Sequence, residues 1–217
     1  SVAVHRVGVS KIMQAGDSRR LTRPWSQPKR VGKRAEMTNR LAQKVREGDD
    51  EIDALFMDIE TRALKLMAQQ APVAGDLRLI VAILRIITDL ERCGDYAAGI
   101  AKIALMIGKE PFIKPLIDIP RMLDKAVSML ERALKAFVDQ DVEAARRIAA
   151  EDDDVDALYD QINNELISFM LQDPHTIRQA TRLLWVAHNL ERFADRTTNI
   201  GERVVFLKTN IIVELDD

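Results

Sequence analysis

The sequence predicts an all-α protein made of duplicated antiparallel three-helix bundles, and three observations carry that expectation. Ala, Leu, Ile, Glu and Arg dominate a chain that is 47% hydrophobic and 30% charged but only 5% aromatic, a mix that favours helix over β-sandwich. Asp89-Leu-Glu-Arg-Cys-Gly-Asp95 returns 100 residues later as Asn189-Leu-Glu-Arg-Phe-Ala-Asp195, and Asp49-Asp-Glu-Ile-Asp53-Ala-Leu55 returns 103 residues later as Asp152-Asp-Asp-Val-Asp156-Ala-Leu158. Between the paired segments, Gln70-Ala-Pro-Val-Ala-Gly-Asp76 in one copy and Gln172-Asp-Pro-His175 in the other read as turns joining two helices.

From about Thr38 the pattern becomes helical, with Leu41, Val45, Ile52, Leu55, Ile59 and Leu66 at helical spacing up to the turn at Pro72. The return arm runs from Asp76, a candidate N-cap, to Gly108. It carries two stripes: Ile83, Ile86, Leu90, Cys93, Ala97 and Ala104, and Leu77, Val81, Leu84, Thr88, Glu91 and Asp95. The second stripe is apolar near the turn and acidic further along, and a helix with both stripes is covered on two sides, as in a bundle. Pro111, Pro115 and Pro120 mark a linker at 109–120. An amphipathic helix then spans 121–138, with Met122, Val127, Leu130, Leu134 and Phe137 inward, followed by arms at 142–171 and from Pro174 to Leu207. Shifted back by 103, the 121–138 helix predicts a counterpart at 18–35, where Pro24, Pro28 and Gly32 interrupt any apolar stripe. The organisation expected is therefore an irregular basic segment at 1–40, a first hairpin at 41–110 lacking its N-terminal helix, and a complete second bundle at 118–210. A hairpin without its third helix should leave apolar surface exposed.

Within each hairpin the acids fall at matched heights. Asp53 with Glu91, and Asp49 with Asp95, are symmetric about Pro72; Asp156 with Glu191, and Asp152 with Asp195, are symmetric about the Asp173-Pro174 turn. Glu91 and Asp95, like Glu191 and Asp195, stand four apart on one helical face. Four carboxylates at one level repel unless they are protonated, paired or bound to a cation. All-oxygen donor sets suit hard cations such as magnesium or manganese, and non-haem iron. Asn199 and His188 lie on the strip of Glu191 and Asp195, where the first copy has Gly99 and Thr88, so the second cluster is expected to bind metal more tightly.

Other chemistries are poorly served. No nucleophile is paired with a base, and there is no Gly-rich phosphate loop, so an enzyme is not expected. A ferritin-like di-iron enzyme would need two Glu-x-x-His motifs, and only His188 lies near an acidic motif, in reversed order. A metal-free helical scaffold with solvated acids is the remaining alternative. Residues 1–40 hold ten Lys/Arg against Asp17 and Glu36, but without aromatic interleaving beyond Trp25, so nucleic acid is not an expected partner. The single cysteine, Cys93, fits a reducing compartment, and no apolar run approaches the ~18 residues of a membrane span.

Four segments, Val45-Arg-Glu-Gly-Asp49, Pro72-Val-Ala-Gly-Asp-Leu-Arg-Leu79, Leu90-Glu-Arg-Cys-Gly-Asp95 and Leu190-Glu-Arg-Phe-Ala-Asp-Arg-Thr-Thr-Asn-Ile200, resemble the PhoU family of phosphate-transport regulators in both content and order. The resemblance spans residues 41–208. It implies a cytoplasmic, dimerising protein that represses the phosphate-starvation response by linking the ATPase of the phosphate ABC importer to a phosphate-sensor histidine kinase. It also implies multinuclear iron or zinc on the acidic motifs, which match Glu91 and Asp95 in the first copy and Glu191 and Asp195 in the second.

Overall fold

The computed structural model describes residues 28–108 and 110–215, with side chains described from Thr38 onward. Six α-helices run in order among the described residues, and all regular structure there is helical. The first, α1, is Pro28–Gln70, and α2 is Ala74–Ile107. Beyond the linker come α3 (Asp118–Asp139), α4 (Val142–Ala149), α5 (Asp152–Gln172), a 3₁₀ turn at Pro174–Thr176 and α6 (Ile177–Thr209). The turns fall where they were expected, at Ala71–Val73 and at Asp173, whose side chain accepts from the His175 N–H at 3.0 Å.

The start of α1 departs from the sequence reading. Helix begins at Pro28 and passes through Gly32, so 28–40 is not irregular; residues 1–27 lie outside the described residues. Pro28 occupies the first helical position, where a missing N–H costs nothing, and the Lys, Arg, Ala, Glu and Met that follow are strong helix formers, enough to carry one glycine at about 1 kcal/mol. The core also begins earlier than expected, since Thr38 is buried beside Leu41, Ala42 and Val45. Asp76 sits in the first turn of α2 rather than at its cap, which is Val73. The arm expected at 142–171 is two helices, broken at Ala150-Glu151. Arg132 of α3 grips Glu151 at that break with two hydrogen bonds of 2.7 and 2.5 Å.

α1 packs on α2, α2 packs on α6, and α3, α4 and α5 all pack on α6. A single hydrophobic core runs from Leu41 through Ile86, Cys93 and Ile100 to Met122, Leu166, Leu183 and Val204, so the two halves share one interior. Gln179 secures the linker between them: its amide nitrogen donates to the Pro111 carbonyl at 2.9 Å and its oxygen accepts from the Ile113 N–H at 2.6 Å. Gly108 ends α2 at φ 63°, a left-handed conformation that spares glycine the usual steric penalty.

The second bundle is complete, and its α3 buries Met122, Val127 and Leu130 as the spacing predicts. The first hairpin has no third helix among the described residues. Its outer face shows Leu55, Met57, Leu64 and Leu66 on α1 and Leu77, Leu79 and Val81 on α2; Leu55 is 54% exposed and Leu66 47%. The α2 stripe that begins at Leu77 is thus uncovered near the turn, while the stripe through Ile86, Cys93 and Ala97 is buried.

Gly94 sets how closely α1 approaches α2. A Cβ there would lie 2.7 Å from Asp49 Oδ1 and 3.1 Å from Ile52 Cδ1. Gly94→Ala is therefore expected to destabilise the protein by about 1–3 kcal/mol despite alanine's better helix propensity. A thermal melt that shows the variant as stable as the parent would refute this close packing.

Candidate metal centre

The first acidic cluster assembles because α1 and α2 run antiparallel from the turn at Ala71–Val73, bringing matched heights together. Burial first, and then the charges of Asp95, Asp53 and Asp50, push the Asp49 carboxyl up to about 6. Glu91 is raised as well, by burial and then by Asp95 and Asp53. These mutual effects place Asp49, Asp53, Glu91 and Asp95 within electrostatic reach of one another, as the mirror argument predicts. Asp49 reaches in over the bare backbone of Gly94.

The second cluster, between α5 and α6, is different in detail. Burial and Asp195, opposed by Arg192 and reinforced by Asp156, push Glu191 up to about 7. Asp156, Glu191 and Asp195 therefore share a neighbourhood. Asp152 is buried at the start of α5. The Gly94 position is Ala194 in this copy, so a carboxylate seated as Asp49 is would meet a methyl group. Arg192 holds Asp195 at 2.8 Å.

Asn199 faces elsewhere: its amide donates to Asp89 Oδ1 on α2 at 3.3 Å. His188 does approach the acids, with Nδ1 3.5 Å from Glu191 Oε2, and its ring lies 6.2 Å from that of Tyr159. Cys93 is buried, with its thiol pushed up by that burial, and its Sγ lies 3.9 Å from the Phe193 carbonyl oxygen across the α2–α6 contact. It is a packing residue.

Among the described residues no three His, Cys, Asp or Glu side chains close around one point as a finished ligand cage. The donor chemistry nonetheless fits a hard cation. Partly buried carboxylates crowd one another with their protons held unusually tightly, and a cation relieves both burdens at once. A bound ion would draw in carboxylates that now stand apart, as flexible oxygen ligands do.

An all-α molecule of two repeated hairpins, each carrying an acidic cluster on facing arms, belongs to the class of duplicated acidic helical-bundle proteins. The comparisons narrow that class. The PhoU domain profile matches residues 35–104 and 119–204, one match per repeat. A phosphate-specific transport system accessory protein PhoU homolog from Aquifex aeolicus is 39% identical over 174 residues, 80% of this chain and 79% of that protein. The homolog from Clostridium acetobutylicum is also 39% identical, over 82% of this chain and 81% of its own length. In three dimensions the crystal structure of PhoU from Pseudomonas aeruginosa superposes with a TM-score of 0.81 at 28% identity, covering 97% of this chain and 92% of that one. PhoU from Streptococcus pneumoniae gives 0.75 at 27% identity, covering 98% and 96%. The chain belongs to the PhoU family.

The raised carboxylates give stability a distinct pH dependence. Folded Asp49, Glu91 and Glu191 hold protons more tightly than they do in the unfolded chain, so their protonation favours the fold. That contribution is fully present below the unfolded values near 4 and is lost as pH rises through about 6 to about 7. Metal-stripped protein is expected to melt at a higher temperature at about pH 5.5 than at about pH 8, and the Asp49→Asn, Glu191→Gln double variant should flatten the difference. An equally steep profile in the double variant would remove these groups as its source.

Proposed function

We propose that this chain is a regulatory accessory protein of phosphate uptake that acts by protein contact and not by turnover, with metal held on its two acidic clusters. Family membership is the observation that supports it most directly, since the relatives are named as accessory proteins of the phosphate-specific transport system. In this reading the chain works in the cytoplasm and restrains the phosphate-starvation response by linking the importer's ATPase to a sensor histidine kinase. No helix among the described residues is long and apolar enough to cross a membrane, so contact with the importer would be made from its surface. The uncovered apolar face of α1 and α2 offers area for a second copy of the chain. In cells deleted for the gene, phosphate-starvation genes should be expressed even when phosphate is plentiful; repression as in the parent would overturn the regulatory reading.

Iron or zinc is the metal proposed, with magnesium or manganese served by the same oxygen donors. Asp49, Asp53, Glu91 and Asp95 would hold it in the first hairpin. Asp156, Glu191 and Asp195, with His188 at their edge, would hold it in the second. The sequence points to tighter binding at the second cluster; we propose the first instead, on the grounds that Asn199 donates to Asp89 and Arg192 competes for Asp195. Changing Glu91 and Asp95 together to Ala should remove more bound metal than changing Glu191 and Asp195. Elemental analysis of protein purified without chelator measures this, and a metal content unchanged by either pair would sink both sites.

A further inference from the structure

The contact between α2 and α6 has an approximate two-fold symmetry that the repeat makes easy to follow. Cys93 Sγ meets the backbone of Phe193, its own counterpart 100 residues on. To one side of this point Asn199 meets Asp89; to the other, Asn189 lies 3.3 Å from where a Cβ on Gly99 would stand. The two sides began as equivalent positions in a duplicated sequence, and they now differ sharply in charge.

On the Asp89 side there is an open cleft of about 460 Å³ into which four arginines project: Arg85 and Arg92 from α2, Arg196 and Arg203 from α6. At three of the four equivalent positions the other side has Trp185, Tyr96 and Ile103, and the one cation it keeps, Arg192, is hydrogen-bonded to Tyr96. General helix packing therefore does not demand this cluster. One carboxylate, Asp89, faces the four guanidinium groups, 3.8 Å from Arg196, and Glu202 approaches Arg203 at 3.5 Å. Positive charge remains in excess. The Nε atoms of Arg196 and Arg203 are buried without a hydrogen-bond acceptor, an expensive arrangement for donors inside a folded protein.

We propose that this cleft binds a phosphoryl oxyanion, with the four arginines as its donors and Asp89 as the acceptor that selects a protonated anion. Guanidinium forks match the oxygens of a tetrahedral dianion and form charge-assisted hydrogen bonds to them. The lining contains no aromatic ring on which a base could stack, and Thr88 already donates its hydroxyl to the Leu84 carbonyl, so the phosphoryl group itself is the recognised element. A carboxylate inside an anion site looks misplaced until the proton on hydrogen phosphate is considered. That P–OH can donate to Asp89, whereas sulfate, fully deprotonated at neutral pH, presents only acceptors and meets a like charge. The proposal rests on the charge and shape of the cleft and is independent of the regulatory reading.

The test is isothermal titration of the full chain, stripped of metal and dialysed free of chelator so that no bound cation can bridge the anion. Orthophosphate, pyrophosphate and sulfate are titrated separately at low salt. Saturable binding of orthophosphate or pyrophosphate with one site per chain is expected, and the tighter of the two identifies a single or a linked phosphoryl group as the ligand. Sulfate should bind about tenfold more weakly, and Asp89→Asn should erase that preference. Arg85 and Arg92 are exposed, so their joint replacement by Glu should leave the melting temperature close to the parent's while abolishing binding. Absence of saturable phosphoryl binding in the parent, or its survival in the Arg85→Glu, Arg92→Glu variant, would overturn the site; equal sulfate binding would overturn the role of Asp89.

Discussion

The contact between α2 and α6 is the constraint on which the rest of the molecule depends. Each of these helices is one arm of a hairpin, and each also packs against the other, so together they convert two repeats into one body with one core. Close packing at the centre needs small side chains on the buried positions, and both helices supply them: Cys93, Ala97 and Ala101 on α2, Ala187, Ala194 and Thr197 on α6. With α2 and α6 committed to each other, the outer arms must bring their acids to the flanks. The acidic clusters therefore lie on hairpin faces, away from the central packing, where partial burial raises their proton affinity without sealing them from ions in solution.

Much of this was legible in the sequence because the repeat converts into geometry with few assumptions. Two turns and two sets of acids symmetric about them are enough to place Asp49, Asp53, Glu91 and Asp95 at one level, and the electrostatic coupling of those groups agrees. The structure departs from the pattern where one residue outweighs it. Pro28 looks like a helix breaker in the sequence, yet it stands at the one helical position where proline is favoured. Asn199 lies on the strip of Glu191 and Asp195, but a strip has edges, and the nearby Asp89 of α2 supplies a stronger acceptor than the edge of the acidic cluster supplies a role. Asp152 matches Asp49 by alignment, but the facing helix differs between the copies, with glycine at position 94 and alanine at position 194.

The arginine cleft escaped the sequence reading for a related reason. Arg85 and Arg92 are two turns apart on one helix, Arg196 and Arg203 two turns apart on another, and each pair alone looks like a solvated helical face. Nothing in either segment says that the two faces meet. The available signal was the comparison of copies: in the aligned segments, cations stand opposite Trp185, Tyr96 and Ile103. Divergence between internal repeats marks where the two halves ceased to do the same thing, just as similarity marks the shared scaffold.

That divergence also separates two electrostatic problems with opposite sign in one fold. The hairpin flanks crowd carboxylates and are relieved by cations or protons; the α2–α6 cleft crowds guanidinium groups and is relieved by anions. Asp89 and Glu91 are two residues apart on the same helix, so the two environments are joined by a short rigid span and turned to different sides of α2. A ligand that tightened the α2–α6 contact would also act on the helix that carries Glu91 and Asp95, and metal bound by those acids would act on the helix that carries Arg85 and Arg92. Coupling of this kind needs no moving part beyond α2 itself. It follows from a single helix being shared between one face that holds negative charge against α1 and another that holds positive charge against α6.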